Sequence, residues 1–119
     1  MVITEVMVHE AYETARRIYG GALSHQDGVT LLQRIGMNEK SAVGYIHVYR
    51  CMMNGECYTW TINEYATDYY LGSIRRDNGI NGLENALEAV RQHLDYQTDH
   101  NILNGIREIY HKYLKLVKN

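Results

Sequence analysis

The 119-residue sequence has no proline, no phenylalanine, only two cysteines and no strong excess of either charge. Without proline, nothing in the chain forces a break inside a helix. Without phenylalanine, the aromatic content is 11 tyrosines and one tryptophan. Tyrosines must therefore fill much of the core, and their hydroxyls need partners or a route to water. Cys51 and Cys57 fall short of the four or more cysteines of a disulfide framework, which predicts reduced thiols in a cytosolic setting. No apolar run approaches the roughly 18 residues needed to span a bilayer. The N-terminus also lacks the basic, apolar, small-residue order of a secretory signal. A cytoplasmic protein without membrane contact is the expectation. A net charge of −2 and a pI near 6.3 exclude a polycation that grips nucleic acid through bulk charge, yet leave room for a local basic patch.

What the chain does have is length for one domain over residues 1–119. A chain of this size buries about two-thirds of its unfolded surface, so a core forms without metal or disulfide staples. Apolar spacing of three and four recurs, and this is the helical period. Six segments carry it. The first, from about Thr4 to Tyr19, has Val8, Ala11, Ala15 and Ile18 on one stripe and ends at Gly20-Gly21. The second starts at Ser24, an N-cap with Asp27 three residues on, and carries Val29, Leu32 and Ile35 before Gly36. The third follows the cap Asn38 and buries Ala42, Tyr45, Ile46, Tyr49 and Met53 before Asn54-Gly55. The fourth opens with Thr61 and Glu64 as a capping box and ends at Asn78-Gly79. The fifth has Leu83, Ala86, Leu87, Val90 and Leu94 on one face, and the sixth runs from about His100 to Val117. No alternating stretch suggests a sheet. An all-α fold is predicted: a compact bundle of about six helices joined by short connections.

The second and third segments read as a helix-turn-helix-like pair, with Gly36 supplying the positive φ of the turn. The polar start of the third helix then presents Asn38, Lys40, Ser41 and, further along, His47 to a DNA groove. An ordinary pair of bundle helices has the same pattern, and Leu32 is bulkier than the small residue DNA-binding versions prefer. Tyr58 and Trp60 lie between helices, where rings either stack on bases or cap the core. Arg75-Arg76 suit the negative end of the fourth helix's dipole and are also candidate phosphate ligands. The last segment carries Arg107, Lys112, Lys115 and Lys118 against Glu108, a local excess of about three positive charges and a candidate phosphate-contacting strip. His47, Cys51 and Cys57 do not complete a zinc-ligand set, so no metal or cofactor is expected. No nucleophile motif or phosphate loop supports catalysis. His93, three residues before Tyr96, is read as one half of a surface or core hydrogen-bonding pair with it.

Several blocks of sequence carry a resemblance. Gly36-Met37-Asn38 with Ser41-Ala42 and Tyr45-Ile46 is followed by Tyr58-Thr59 and by Asn63-Glu64-Tyr65-Ala66-Thr67-Asp68-Tyr69-Tyr70-Leu71. Ile74-Arg75, Asp77, Gly79, Leu83, Ala86-Leu87, Ala89, His93 and Tyr96 continue it. From about residue 8 to residue 113 the chain resembles the helical module on the N-terminal side of bacterial HNH-type endonucleases, including ones specific for modified cytosine. The resemblance implies a DNA-recognition or targeting module whose nuclease is a separate segment. Trp60 stands where the pattern has an arginine, and no His-Asn-His metal site is present. The chain itself is therefore expected to be non-catalytic.

The expectation is a double-stranded-DNA-binding module of a restriction-type system, with sensitivity to base modification as part of that expectation. Phosphate contacts fall to Lys40, Arg75, Arg76 and the C-terminal strip with Lys112 and Lys115, base-edge or stacking contacts fall to Asn38, His47, Tyr58 and Trp60, and Ser41 is a further groove-facing residue. The alternative is a protein-interaction module: a self-associating domain, a nuclease-docking domain, or a phage-type inhibitor of a defence protein. Tyr and Trp are favoured anchors at such interfaces.

Overall fold

The computed structural model describes residues 1–97 and 103–118. Five helices follow one another, α1 (Glu5–Tyr19), α2 (His25–Arg34), α3 (Glu39–Asn54), α4 (Glu64–Tyr96) and α5 (Asn104–Val117), with no strand among the described residues. The all-α class stands, but the helix count is five rather than six. The fourth and fifth expected segments run together as α4, in which two helical stretches meet across a kink at Gly79, whose φ of 73° and ψ of −167° are not helical. The expected stop at Asn78-Gly79 is thus a change of direction without an intervening loop. No helix among the described residues is long and apolar enough to cross a membrane. The chain divides into two compact units, Met1–Arg50 and Cys51–Asn119, with the boundary inside α3.

In the first unit each helix start is fixed by a local side-chain cap. Thr4 accepts from the Met7 amide at 3.2 Å, Ser24 from Asp27 at 3.1 Å and Asn38 from Ser41 at 2.7 Å. Each cap satisfies one amide that has no partner inside its own helix, a contribution of about 1 kcal/mol. α2 ends where Gly36 takes a φ of 108° and the Met37 amide reaches back to the Leu32 carbonyl. This turn carries Ile35 out of the apolar stripe to 39% exposure, while Met37 becomes the buried residue. α1 packs on α2 at Gly28, where a β-carbon would run into Ile18 and Thr14. Tyr12, Tyr45 and Tyr49 fill the core, Tyr12 meeting Tyr49 edge-on at 5.3 Å.

In the second unit α4 packs on α5. Leu71, Ile74, Leu83, Val90 and Leu94 are buried from α4, with Leu103 and Ile106 from the start of α5. The tie between the helices is polar. The Tyr113 hydroxyl donates to the Asp68 carboxylate at 2.7 Å and Lys112 Nζ donates to the same oxygen at 2.7 Å. Gly72 leaves room for the Tyr113 hydroxyl. The expected onset of the last helix at His100, and Ile102 on its stripe, lie outside the described residues.

The connection from α3 to α4 is strapped to one side of α4. Asn85, Gln92 and Gln97 donate to the carbonyls of Met53, Gly55 and Thr59. Buried His93 lies 4.3 Å from the Tyr58 ring in a stacked arrangement and makes 2.6 Å and 3.0 Å bonds to the Tyr58 carbonyl and the Thr61 hydroxyl. Thr61 is therefore not the cap of α4. Asn63 is, accepting from the Ala66 amide at 2.7 Å. His93 is a core hydrogen-bonding residue, but its partners are Tyr58 and Thr61 and not Tyr96, whose side chain is exposed.

Candidate nucleic-acid interface

α3 is the helix that follows the Gly36 turn, and one side of it faces outward. Lys40, Val43, His47 and Arg50 recur at spacings of three, four and three, so at 100° per residue they fall within an arc of about 80°. Ten residues of helix spread them over about 15 Å. Lys40, Val43 and Arg50 are exposed and His47 is half-buried. The one carboxylate on α3 is Glu39, in its first turn, where it complements the positive end of the helix dipole.

Arg50 Nη2 lies 3.0 Å from His47 Nδ1. A guanidinium has no acceptor, so the arginine donates and the imidazole is neutral with its proton on Nε2. Beside this pair a half-open cleft of about 480 Å³ is bounded by Ala15, Ile18 and Tyr19 of α1, His25 of α2, and Val43, Ile46, His47 and Arg50 of α3. No carboxylate borders it.

The other sequence-derived site residues divide sharply. In the first unit Asn38 is exposed and spends its amide oxygen on capping α3, and Ser41 is half-buried. In the second unit Tyr58 is 1% exposed and pressed against His93, so it cannot stack on a base; it caps the core. Burial, with the neighbouring thiols Cys51 and Cys57 adding to it, pushes the Tyr58 phenol far above its ordinary value, and it stays a neutral hydroxyl. Trp60 is half-buried. Arg76 holds both oxygens of Asp77 at 2.9 and 3.0 Å, and Lys112 holds Asp68, so each positive charge is already offset by a neighbouring carboxylate. Burial drives the Asp68 carboxyl upward, but the bonds from Lys112 and Tyr113 outweigh it and hold the group below its usual value, ionised and paired. Arg75 and Lys115 are exposed.

Arg50, Val43, His25 and Tyr19 were not among the residues expected to touch a ligand. The signal for Arg50 and Val43 was present in the sequence, since Lys40, Val43, His47 and Arg50 share a helical stripe. His25 and Tyr19 come from other helices and no spacing rule connects them. Among the described residues no three of His, Cys, Asp and Glu gather as metal ligands. Comparison with protein-family models, with curated proteins and with solved structures found no match.

Proposed function

We propose that the chain is a DNA-binding module that meets the duplex through the outward side of α3. The observation that carries this reading is the Lys40–Val43–His47–Arg50 stripe on the helix after the Gly36 turn. Such a helix has the dimensions of a major groove, its cations suit phosphates and guanine edges, and an imidazole N–H and an apolar methyl pair suit base edges. The resemblance to the N-terminal module of HNH-type endonucleases adds the biological setting, a restriction-type system in the cytoplasm with catalysis on a separate segment. It also suggests sensitivity to base modification. Arg75 and Lys115 remain phosphate candidates in the second unit, whereas the charges of Arg76 and Lys112 are already offset by Asp77 and Asp68.

The test is fluorescence anisotropy with short duplexes that are unmodified, 5-methylcytosine-bearing or N6-methyladenine-bearing. Saturable binding that falls several-fold in Lys40→Ala and in Arg50→Ala is expected. Equal affinity of both variants and the parent sinks the α3 assignment.

The self-pairing of cations in the second unit favours a protein partner as the second reading. Arg76, Arg91 and Lys112 all meet carboxylates of their own chain, which offset their positive charges. Half-buried Trp60 and exposed Tyr65 and Tyr96 are the anchors such an interface would use. A concentration-dependent mass in sedimentation that Trp60→Ala abolishes, with helical content intact, would establish it.

A further inference from the structure

The outward stripe of α3 is enough to touch a duplex, but the cleft beside it is more than that contact requires. A base edge is read on a convex helix surface, whereas this is a recess of about 480 Å³, within the size range of small-molecule sites. Its chemistry is split. Ala15, Ile18, Val43 and Ile46 supply an aliphatic lining, Tyr19 an aromatic ring, and Arg50, His47 and His25 supply nitrogen donors. Tyr19 is 45% exposed although it is aromatic. Its ring stands edge-on to buried Tyr49 at 5.9 Å and an interplanar angle of 80°, and Tyr49 meets Tyr12 in the same way. The Tyr19 ring thus rests against the core through Tyr49 while the side chain borders the recess. His47 fixes the Arg50 guanidinium at 3.0 Å, so less side-chain freedom is lost when the arginine binds an anion. His25 opens α2 and brings the positive end of that helix to the same wall.

An apolar slot with one held aromatic ring suits a flat heteroaromatic ring, and the adjacent arginine with two imidazoles suits a phosphate. We infer that the cleft of the first unit binds a single nucleotide, with the base against Tyr19 and the aliphatic wall and the phosphate at Arg50 and His25. Two sources offer that chemistry, a nucleotide turned out of a duplex and a free mononucleotide. The first rests on the DNA-binding reading above, and the second does not.

Three duplexes separate the possibilities: a perfect one, one with a single bulged nucleotide, and one whose bulged nucleotide lacks its base. Unpairing and unstacking a base costs a few kcal/mol, and a bulge has already met that cost. The bulged duplex should bind about tenfold or more tightly than the perfect one, and the base-free bulge should show no such gain. Tyr19→Leu should erase the gain, because base–aromatic stacking is worth about tenfold in affinity or more. His25→Trp, which fills the recess from an exposed position off the α3 stripe, provides a second variant should Tyr19→Leu disturb the packing on Tyr49. In parallel, deoxynucleoside monophosphates are titrated while the imidazole resonances of His25 and His47 are followed.

A bulge preference lost in both variants supports the extrahelical form. Shifted imidazoles without a bulge preference support the cleft as a free-nucleotide site. Equal binding of all three duplexes with both imidazoles unmoved overturns the inference and leaves DNA binding by α3 standing. Nucleotide binding with no duplex binding does the reverse.

Discussion

His93 is buried with both ring nitrogens occupied, and the bonding pattern fixes its tautomer. The Tyr58 carbonyl can only accept, so Nδ1 carries the proton and Nε2 accepts from the Thr61 hydroxyl. Removal from water lowers the His93 pKa below its ordinary 6.5, and the bond to the Tyr58 carbonyl offsets this only in part. A histidine depressed in the folded state is protonated more readily in the unfolded chain. Its contribution is therefore complete above about pH 6.5 and is lost as pH falls through the unfolded value towards the folded one. Urea titrations from pH 7.5 to pH 5 should show stability declining with acid, and His93→Gln should flatten that decline. An unchanged slope in the variant would assign the acid sensitivity to other histidines. At neutral pH His93→Leu should cost about 2 kcal/mol, because the Tyr58 carbonyl is left without its donor. The sequence reads His93 as a surface or core hydrogen-bonding residue paired with Tyr96, whereas its partners Thr61 and Tyr58 lie 32 and 35 positions away.

At the scale of elements, helix starts were legible where the cap is local. Ser24 and Asn38 each bond the amide three residues on, a relation visible in four letters of sequence. Thr61 and Glu64 have the same spacing and mislead, since Asn63 sits two residues nearer the helix and the Thr61 hydroxyl is taken by His93. The Asn78-Gly79 signal was legible as an interruption but not as a kink, because the sequence does not say whether hydrogen bonding resumes at once. Gly79 makes this distinction testable. In a continuous helix Gly79→Ala would stabilise by about 1 kcal/mol. At a φ of 73° and ψ of −167°, a region essentially restricted to glycine, it should instead destabilise by about 1–3 kcal/mol. Thermal melts decide the sign. A second element-level tie is Tyr113, whose hydroxyl bonds both the carbonyl and the carboxylate of Asp68. Tyr113→Phe should cost about 1 kcal/mol, read in the same melts, and no measurable loss would mean that water replaces the hydroxyl.

At the scale of the whole molecule, a formal charge of −2 makes any grip on DNA a matter of placement. The sequence counts basic residues in the last helix but does not show that Lys112 is already committed to Asp68, a partner 44 positions earlier. It likewise offers Tyr58 as an inter-helix ring, which the fold buries. The sequence-derived residues of the first unit, Asn38, Lys40, Ser41 and His47, lie at the start and middle of α3, with Arg50 added by the same helical period. Two such cations, Lys40 and Arg50, neutralise about two phosphates, so the logarithm of affinity should fall against the logarithm of salt with a slope near −2. Lys40→Ala should reduce that slope by about 1 and weaken binding to all duplexes alike, since a phosphate contact carries no sequence information. Glu39 gives the opposite sign. It is exposed at the start of the same helix, beside the arc of Lys40 and Arg50, and its carboxylate repels the phosphates those residues attract. Glu39→Gln should therefore raise affinity at low salt, with the gain shrinking as the Debye length falls below about 8 Å above physiological ionic strength. A slope that is flat in the parent and unmoved by either substitution would show that α3 does not face the duplex.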